Sequence, residues 1–406
     1  MSHRNDRDVL IVGAGPAGTA AGITLARAGR SVTIVDKATF PRDKICGDGL
    51  TTSALRHLEH LGVEPHDIGS WQPVHDVVVR APYGIERRFS LPRGQGTFAA
   101  VATRRDLDAA LVERARKEGV EVLEGAALEQ ISSSADVVVA EVAGHGTIRT
   151  RFAIGADGMW SPTRKLLGKA VEGYRGDWHA FRQYVQGVSG TASSDLVVFF
   201  EPDFLPGYFW SFPLPDGRAN IGFGIQRGGT HTIQDMKALW ADLLERPHVR
   251  ALLGPDVAPV EPHRAWPIPC RPGELPLSAG PVLFVGDAAG ACDVMTGEGI
   301  GQALHTGAMA AHHINSSWHD PAAAAAGYEA QVRAELGADH RMSSLLVRAL
   351  QHRKGAAAAL AVAAGTDWTR RNFVRWLFED SPRGIAYRPS LWRRGALSGP
   401  GAYRRA

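Results

Sequence analysis

The chain has 406 residues, enough for two or three domains or one large composite fold. With 44% hydrophobic and 21% charged residues it has the make-up of an ordinary globular protein, and a net charge of +3 is too small to call for nucleic acid as a partner. Cys46, Cys270 and Cys292 are too few and too widely spaced for a disulfide framework or a metal site, which points to a reducing cytosol. The polar start "MSHRNDRD" gives no expectation of a secretory signal, and no apolar run is long enough to span a bilayer.

The opening "DVLIVGAGPAGTAAGITLARAGRSVTIVDK" reads as strand, glycine turn, helix, strand. Val9 to Val12 suit a buried parallel strand. The helix runs from about Pro16 to Ala28 and stops at Gly29, with Gly22 packed on the sheet, and "SVTIVD" is the second strand. Gly13, Gly15 and Gly18 form G-x-G-x-x-G between strand and helix. Such a turn lets backbone approach a pyrophosphate and aims a helix N-terminus at it. Asp36 closes the second strand, where a carboxylate accepts from a ribose diol.

Next comes "FPRDKICGDGL", Phe40 to Leu50, with no helical or strand period and a cysteine between a basic segment and a Gly-Asp-Gly turn. Thr51 to Leu61 reads as a helix, residues 71–102 as strands, "RRDLDAALVERARKEG" as an amphipathic helix, and "VEVLEGAALEQI" as one returning strand. "IGADGMWSPTRKLLG" carries an Ala-Asp-Gly turn at Asp157. Aromatic strands dominate from Asp177 to Pro269, with one helix near Ile233 to Leu244. In "PGYFWSFP" strand alternation puts Tyr208, Trp210 and Phe212 on one face, as sheet core or as the wall of an apolar cavity.

"GPVLFVGDAAG" is a further strand, followed by "TGEGIGQAL". An aspartate there, Asp287, can meet the ribityl chain of a flavin, and the helix started by Gly297–Gly299 can face the negative charge of a reduced isoalloxazine. Together with the opening turn this selects FAD. From Pro321 the chain is largely helical. From Arg341 onward there are thirteen Lys/Arg against three Asp/Glu, either a solvated helical face or a contact for an anionic lipid surface or diphosphate. "AAAALAVAAG" near Ala356 is too short to span a membrane. Sixteen histidines invite a metal, but His312 and His313 point to different faces and His57 and His60 lack a third ligand, so none is expected.

These pieces resemble the FAD-dependent oxidoreductases of the para-hydroxybenzoate hydroxylase fold. Within them, "FPRDKICGDGL" looks like the signature of the geranylgeranyl reductase family, whose members pass hydride from FAD to isoprenoid double bonds. "PGYFWSFP" with the following "ANIGFGI", "RRDLD" (Arg104, Leu107, Asp108) and "GDAAGACDVMTGEGI" resemble further family elements. The resemblance runs from about Val9 to Ala310. It implies that Ala17, Lys37, Cys46, Gly47, Gly49, Arg104, Ala126, Asp157 and Ile300 join Gly13, Gly15, Gly18, Asp36, Asp287, Gly297 and Gly299 around the cofactor. It places Cys46 near the isoalloxazine, as a packing thiol or as the proton donor. Gly47 and Gly49 would free the backbone beside the flavin. Halogenases of the same superfamily carry a G-E-S turn and a W-x-W-x-I-P motif, where this chain has Gly47-Asp48-Gly49 and Tyr208-Phe209-Trp210. Val294 stands where the family usually has proline.

The expected fold is α/β: a Rossmann-type FAD-binding domain (1–70, 101–175, 276–325), an inserted, mainly antiparallel substrate sheet (71–100, 176–275) and a helical, basic C-terminal region (326–406). The expected activity is reduction of carbon–carbon double bonds in a prenyl chain, with NADPH or ferredoxin as the external reductant. Tyr208, Trp210 and Phe212 line the substrate cavity and Cys46 is the catalytic candidate. An FAD monooxygenase of specialised metabolism is the alternative, and a flavin-binding sensor a third reading. The expected location is the cytoplasm, with peripheral contact to a membrane admitted by the basic tail; the sequence sets no oligomeric state.

Overall fold

The structure, a computed structural model, describes residues 6–378 and 399–404. Val9, Leu10 and Ile11 are wholly buried in the strand Asp6–Val12, as a strand covered on both faces requires. It is the centre of a parallel sheet whose order is Val282–Phe284, Gly146–Gly155, Asp6–Val12, Val32–Asp36, Glu121–Glu124. Helix α1, Pro16–Arg27, packs closely enough that a Cβ on Gly22 would lie 2.9 Å from the Ile34 side chain. Helices α2 (Thr52–Leu61) and α3 (Arg104–Lys117), capped by Thr51 and Thr103, bury leucines against the same core.

Residues 120–131 are not one strand. Glu121–Glu124 pairs with Val32–Asp36, the chain turns at Gly125 (φ +67°), and Leu128–Ser133 leaves to form a hairpin with Val138–Val142. The turn is held by the Ala126 N–H on the Asp36 carbonyl at 2.8 Å, which places Ala126 at the tip of the second strand. A short helix α4, Pro162–Leu166, follows the Asp157 turn.

The second sheet is antiparallel except where Leu196–Phe199 runs parallel to Asp76–Arg80. Its centre is Trp178–Gln186, Arg218–Gln226 and Tyr208–Leu214, with Trp210 opposite Gly222 and Phe212 opposite Asn220. Alternation splits it into two faces. Phe181, Phe209, Ile221 and Phe223 pack under α5 (Met236–Glu245) and α6 (Pro247–Leu253). The helix expected near Ile233 to Leu244 is α5; α6 is a second one beyond it, set off by Arg246 in extended conformation and begun by Pro247. The other face carries Val79, Leu196, Val198 and the alternate aromatics of Tyr208–Leu214.

Helix α7, Ile300–Ser316, lies beside α1 at near-backbone contact: a Cβ on Gly307 would lie 2.1 Å from the Ala17 carbonyl oxygen. The long α8, Pro321–Leu350, leads to α9, Arg353–Ala364, and α10, Asp367–Leu377, which close over the inner face of the second sheet. Among the described residues no helix is long and apolar enough to cross a membrane. Tyr328 ties α8 to the first sheet, its hydroxyl donating to the Phe284 carbonyl at 2.6 Å in the fully buried core. Tyr328→Phe should cost about 1 kcal/mol, and up to ~3 if that carbonyl is left unpaired, read as a lower urea midpoint at unchanged m-value.

Candidate active site

One cavity of about 1400 Å³ runs from the first sheet's glycine turn to α10. That is larger than the roughly 300–1,000 Å³ of a pocket for one small ligand. Of the sequence-predicted cofactor residues, all but Gly18 line it. Gly18 serves the turn itself, since a Cβ there would lie 1.9 Å from the Gly13 carbonyl oxygen; Gly13, at φ +106°, is likewise required by the chain. Gly15 is different. Its Cβ position meets nothing closer than the Arg104 and Arg42 guanidinium groups at 3.8 and 3.9 Å, so the space beside it is cavity.

Charge at this end suits a diphosphate. Arg104, buried, makes a two-pronged contact with Asp108 (2.7 Å each), and Arg42 reaches the same carboxylate at 2.7 Å. Two cations thus share one acid. Burial alone would raise the Asp108 carboxyl, but the Arg104 and Arg42 charges hold it below the usual range. Asp36 accepts the N–H of Ala14 (2.8 Å) and of Ala38 (2.9 Å), which fixes its carboxylate at the cavity rim beside Lys37 and Ala126 while each oxygen keeps acceptor capacity. Asp157, in contrast, is filled by Ser161 and by both the N–H and hydroxyl of Thr163, so its carboxylate holds the turn while the neighbouring backbone faces the cavity.

The cysteine turn forms the middle wall. Asp48 sits in left-handed conformation at φ +66°, fully buried. Its Oδ2 accepts from the Tyr184 hydroxyl (2.5 Å) and from Asn220 Nδ2 (2.8 Å), while its buried Oδ1 has no partner among the described residues. Burial raises the Asp48 carboxyl to about 6 against these hydrogen bonds. The Cys46 thiol accepts the Asp48 N–H at 3.4 Å and is pushed up by burial and by the Asp48 charge, so it carries its proton at neutral pH. The glycines beside it line the cavity and also make room for the aromatic wall. A Cβ on Gly47 would meet Phe212 at 3.4 Å and Trp210 at 3.7 Å, and one on Gly49 would meet Phe212 at 3.1 Å. They seat the aromatic wall on the turn.

Asp287 follows the strand Val282–Phe284, paired with Lys44 at 3.1 Å. Burial would raise its carboxyl, but Lys44 beside it brings it below its ordinary value. The α7 start, expected to face the charge of a reduced isoalloxazine, meets the cavity with an acid beside it. The Glu298 carboxylate accepts the Gly301 N–H at 2.6 Å, and burial raises this carboxyl above its usual range. A carboxyl raised by burial therefore stands where the helix N-terminus, with Gly297, Gly299 and Ile300, meets the cavity. The Val294 loop is closed by Asp293, whose Oδ1 accepts the N–H groups of Met295 (3.0 Å) and Thr296 (2.8 Å), while Val294 packs against Trp178 and Val347.

Tyr208, Trp210 and Phe212 all face the cavity. Tyr208 donates to the Thr296 carbonyl, joining this wall to the α7 loop. Trp210 Nε1 donates to Asn220 Oδ1 at 3.1 Å, and Asn220 in turn donates to the Cys46 carbonyl at 2.8 Å. The opposite wall was not anticipated. It is made by Leu346 and Leu350 of α8, Ala356, Ala359 and Leu360 of α9, and Trp368, Phe373 and Trp376 of α10. The α9 part of this wall lies in "AAAALAVAAG", an apolar run whose signal is packing rather than membrane-spanning length. Arg42 and Lys44 in "FPRDKICGDGL" and Asn220 in "ANIGFGI" belong to the site although no role is expected for them from sequence. Arg393 and Arg394, part of the basic tail, lie outside the described residues. Among the described residues no three His, Cys, Asp or Glu side chains cluster as metal ligands.

A protein-family model described as an FAD binding domain matches residues 6–317. Fold and site thus define an FAD-dependent oxidoreductase. Menaquinone reductase of Mycobacterium tuberculosis is 34% identical over 337 residues, 78% of this chain and 78% of the relative. Digeranylgeranylglycerophospholipid reductase 2 of Methanopyrus kandleri is 34% identical over 310 residues, 75% of each. A solved geranylgeranyl bacteriochlorophyll reductase-like protein from Thermoplasma acidophilum shares the fold, with a TM-score of 0.78 at 19% identity over 94% of this chain and 98% of its own. The chain belongs to the geranylgeranyl reductase family.

The residues fit FAD: the open side of Gly15, two guanidinium groups beside it, Asp36 at the rim and Asp287 with Lys44. Gly15→Val places a branched side chain in the diphosphate space and should yield colourless protein, checked by the flavin absorbance of the purified variant; full flavin occupancy would move the site elsewhere. The raised Asp48 carboxyl makes a second test. A native pKa of about 6 against an ordinary 3.8 means the folded state binds more protons between those values, so stability falls as pH rises through that window, by at most about 3 kcal/mol. Asp48→Asn, which tolerates the left-handed backbone, should flatten that segment of the urea-unfolding pH profile of the FAD-saturated protein.

Proposed function

We propose that this protein reduces carbon–carbon double bonds in the prenyl chain of an isoprenoid lipid, a prenylated quinone or a related metabolite. The observation that carries the reading is the lining of the cavity beyond the cysteine turn. Every residue that α8, α9 and α10 contribute is uncharged, and nearly all are apolar. Across from them the sheet supplies Val79, Leu196, Val198 and the three aromatics, with Arg182 the one charged residue, its guanidinium taken up by Asp43 and Glu261. A long hydrocarbon can lie there; a polar substrate would leave its groups unpaired. The reductases named above act on related compounds, by their names, and that agreement supports the reading.

FAD, when bound, supplies hydride and is recharged by an external reductant, NADPH or ferredoxin. The chain supplies the rest. The apolar walls exclude water and hold the alkene in line with the cofactor end of the cavity. Cys46 holds a proton at Sγ in the wall between the two ends and is the candidate donor to the second alkene carbon. The Asp48 carboxyl behind it is fixed by Tyr184 and Asn220 and titrates close enough to neutrality to take part in restoring that proton.

An anaerobic assay with the reduced flavoprotein and a prenyl substrate tests the class of reaction. The product should gain two hydrogens per double bond without oxygen, with flavin reoxidised in step. A product carrying an oxygen atom from O₂ would replace this reading with a monooxygenase. Within the reductase reading, the aromatic wall should set chain affinity. Burying one five-carbon unit is worth roughly 3–4 kcal/mol before ordering costs, at ~0.8 kcal/mol per CH₂. Trp210→Ala should therefore lower kcat/KM for prenyl substrates by about 10- to 100-fold. Because Trp210 also holds Asn220 and through it the cysteine turn, Trp210→Phe should recover part of the loss. Near-normal turnover by Trp210→Ala would show that the chain lies on another surface.

A further inference from the structure

Helix α9 breaks the usual rule for an exposed helix. After Arg353 and Lys354 at its start, residues 355–364 read Gly-Ala-Ala-Ala-Ala-Leu-Ala-Val-Ala-Ala, without one polar side chain. A helix apolar on every side belongs in a core or against an apolar phase. Only one of its faces is packed: Ala356, Leu360 and Ala363 are buried against the second sheet and α10. Beside it, Ala358, Ala359 and Val362 are exposed along the cavity and its mouth, and Ala361 is exposed outside the cavity lining. Val362, at 70%, and Trp368 at the start of α10, at 63%, are the two most exposed large hydrophobic residues described. Both also line the cavity, so the cavity opens at the α9–α10 turn, between them.

The charge around this opening is mainly positive, with the exposed Asp367 directly before Trp368 as the exception. From Arg341 to Phe378 the chain carries Arg341, Arg348, Arg353, Lys354, Arg370 and Arg371, besides the buried Arg375, against the single acid Asp367. Arg353 and Lys354 stand at one end of the apolar stretch, and Arg370 and Arg371 follow just beyond the other. An apolar helix face with basic residues at its margins and an aromatic side chain at its edge matches the boundary of an anionic bilayer, where ring and alkyl groups enter the acyl region and the cations meet headgroup phosphates. At ten residues the stretch is too short to cross.

We infer that the α9–α10 edge docks in the plane of an anionic lipid bilayer, with the cavity mouth between Val362 and Trp368 facing the acyl layer. The inference rests on the prenyl-chain reading for its purpose, since a chain drawn from the bilayer would enter tail-first without crossing water; the docking itself does not require that reading. Soluble prenyl substrates would bypass it.

The test uses the full-length FAD-loaded protein without substrate. Flotation is measured with vesicles of phosphatidylcholine alone and of equal parts phosphatidylcholine and phosphatidylglycerol. The wild type should float with the anionic vesicles, less so at high salt. Val362→Ser with Trp368→Ser should reduce binding at least tenfold at every salt concentration while keeping its flavin, which reports an intact fold. Arg353→Glu with Lys354→Glu should abolish the preference for anionic vesicles. Failure of the wild type to float with either vesicle overturns the proposal, and so does undiminished binding of the serine variant. Concentration-dependent dimerisation of the wild type that the serine variant loses would overturn it in favour of a second copy covering this edge. Since no turnover is measured, vesicle binding by a protein that leaves prenyl chains unreduced would uphold the docking and reject the substrate reading.

Discussion

The close approach of α1 and α7 is the constraint on which the site depends. Gly307 lets α7 lie against the Ala17 backbone, and Gly18 lets α1 begin directly against the Gly13 turn. Both helices therefore start at the same edge of the parallel sheet, where the carboxyl ends of Asp6–Val12 and Val32–Asp36 also finish. Ligands of open α/β sheets bind at that edge. Any side chain at these contacts would push the two helix starts apart, and with them the Gly15 and Gly297–Gly299 turns that share one cavity wall. The second sheet and the C-terminal helices then add a lipid-like chamber to a nucleotide edge already fixed by backbone packing.

The two chambers meet at the cysteine turn, and the turn is held from the substrate side. Asn220 binds the Cys46 carbonyl, Asp48 and Trp210 together, and Tyr184 adds a second bond to Asp48. All these partners lie on the inserted sheet. A displacement of that sheet by a substrate would thus be felt at Cys46 and Asp48, and the raised carboxyl of Asp48 would respond to any change in its two donors. Burial of Asp48 is costly for its charged form, and two hydrogen bonds to Oδ2 offset only part of that cost. Such a group makes sense beside a reaction that consumes a proton in a dry cavity.

Much of the fold was legible because local rules act over short distances. The apolar run at Val9–Val12, the glycine turn and Asp36 place the first strand, helix and rim within one continuous segment. Alternation likewise put Tyr208, Trp210 and Phe212 on one face. The break at Gly125 was missed because its cause is the Ala126 bond to Asp36, a contact across ninety residues of sequence. The contacts of Gly47 and Gly49 with Phe212 and Trp210 were hidden in a similar way, because those partners come from the other sheet. The second helix at Pro247–Leu253 had a local signal in its proline, outweighed by the surrounding run of strands.

The α9 segment shows how one pattern can carry two meanings. Judged by length, ten apolar residues fail as a membrane span, and that test says nothing further. Judged by its neighbours, the same stretch has one face to pack and one to spare. The packed face and the exposed Ala358 and Ala359 beside it together close the chamber and give the chain-binding wall its alanines. The spare face has no protein partner among the described residues and is bordered by arginine and lysine. A helix used only as a wall would gain solubility from polar residues on its outer side at little cost to the inner one. Most of the ten positions line the cavity, which accounts for their lack of polar groups; Val362 at the mouth and Ala361 beyond the lining, both exposed, are the positions that the proposed docking accounts for.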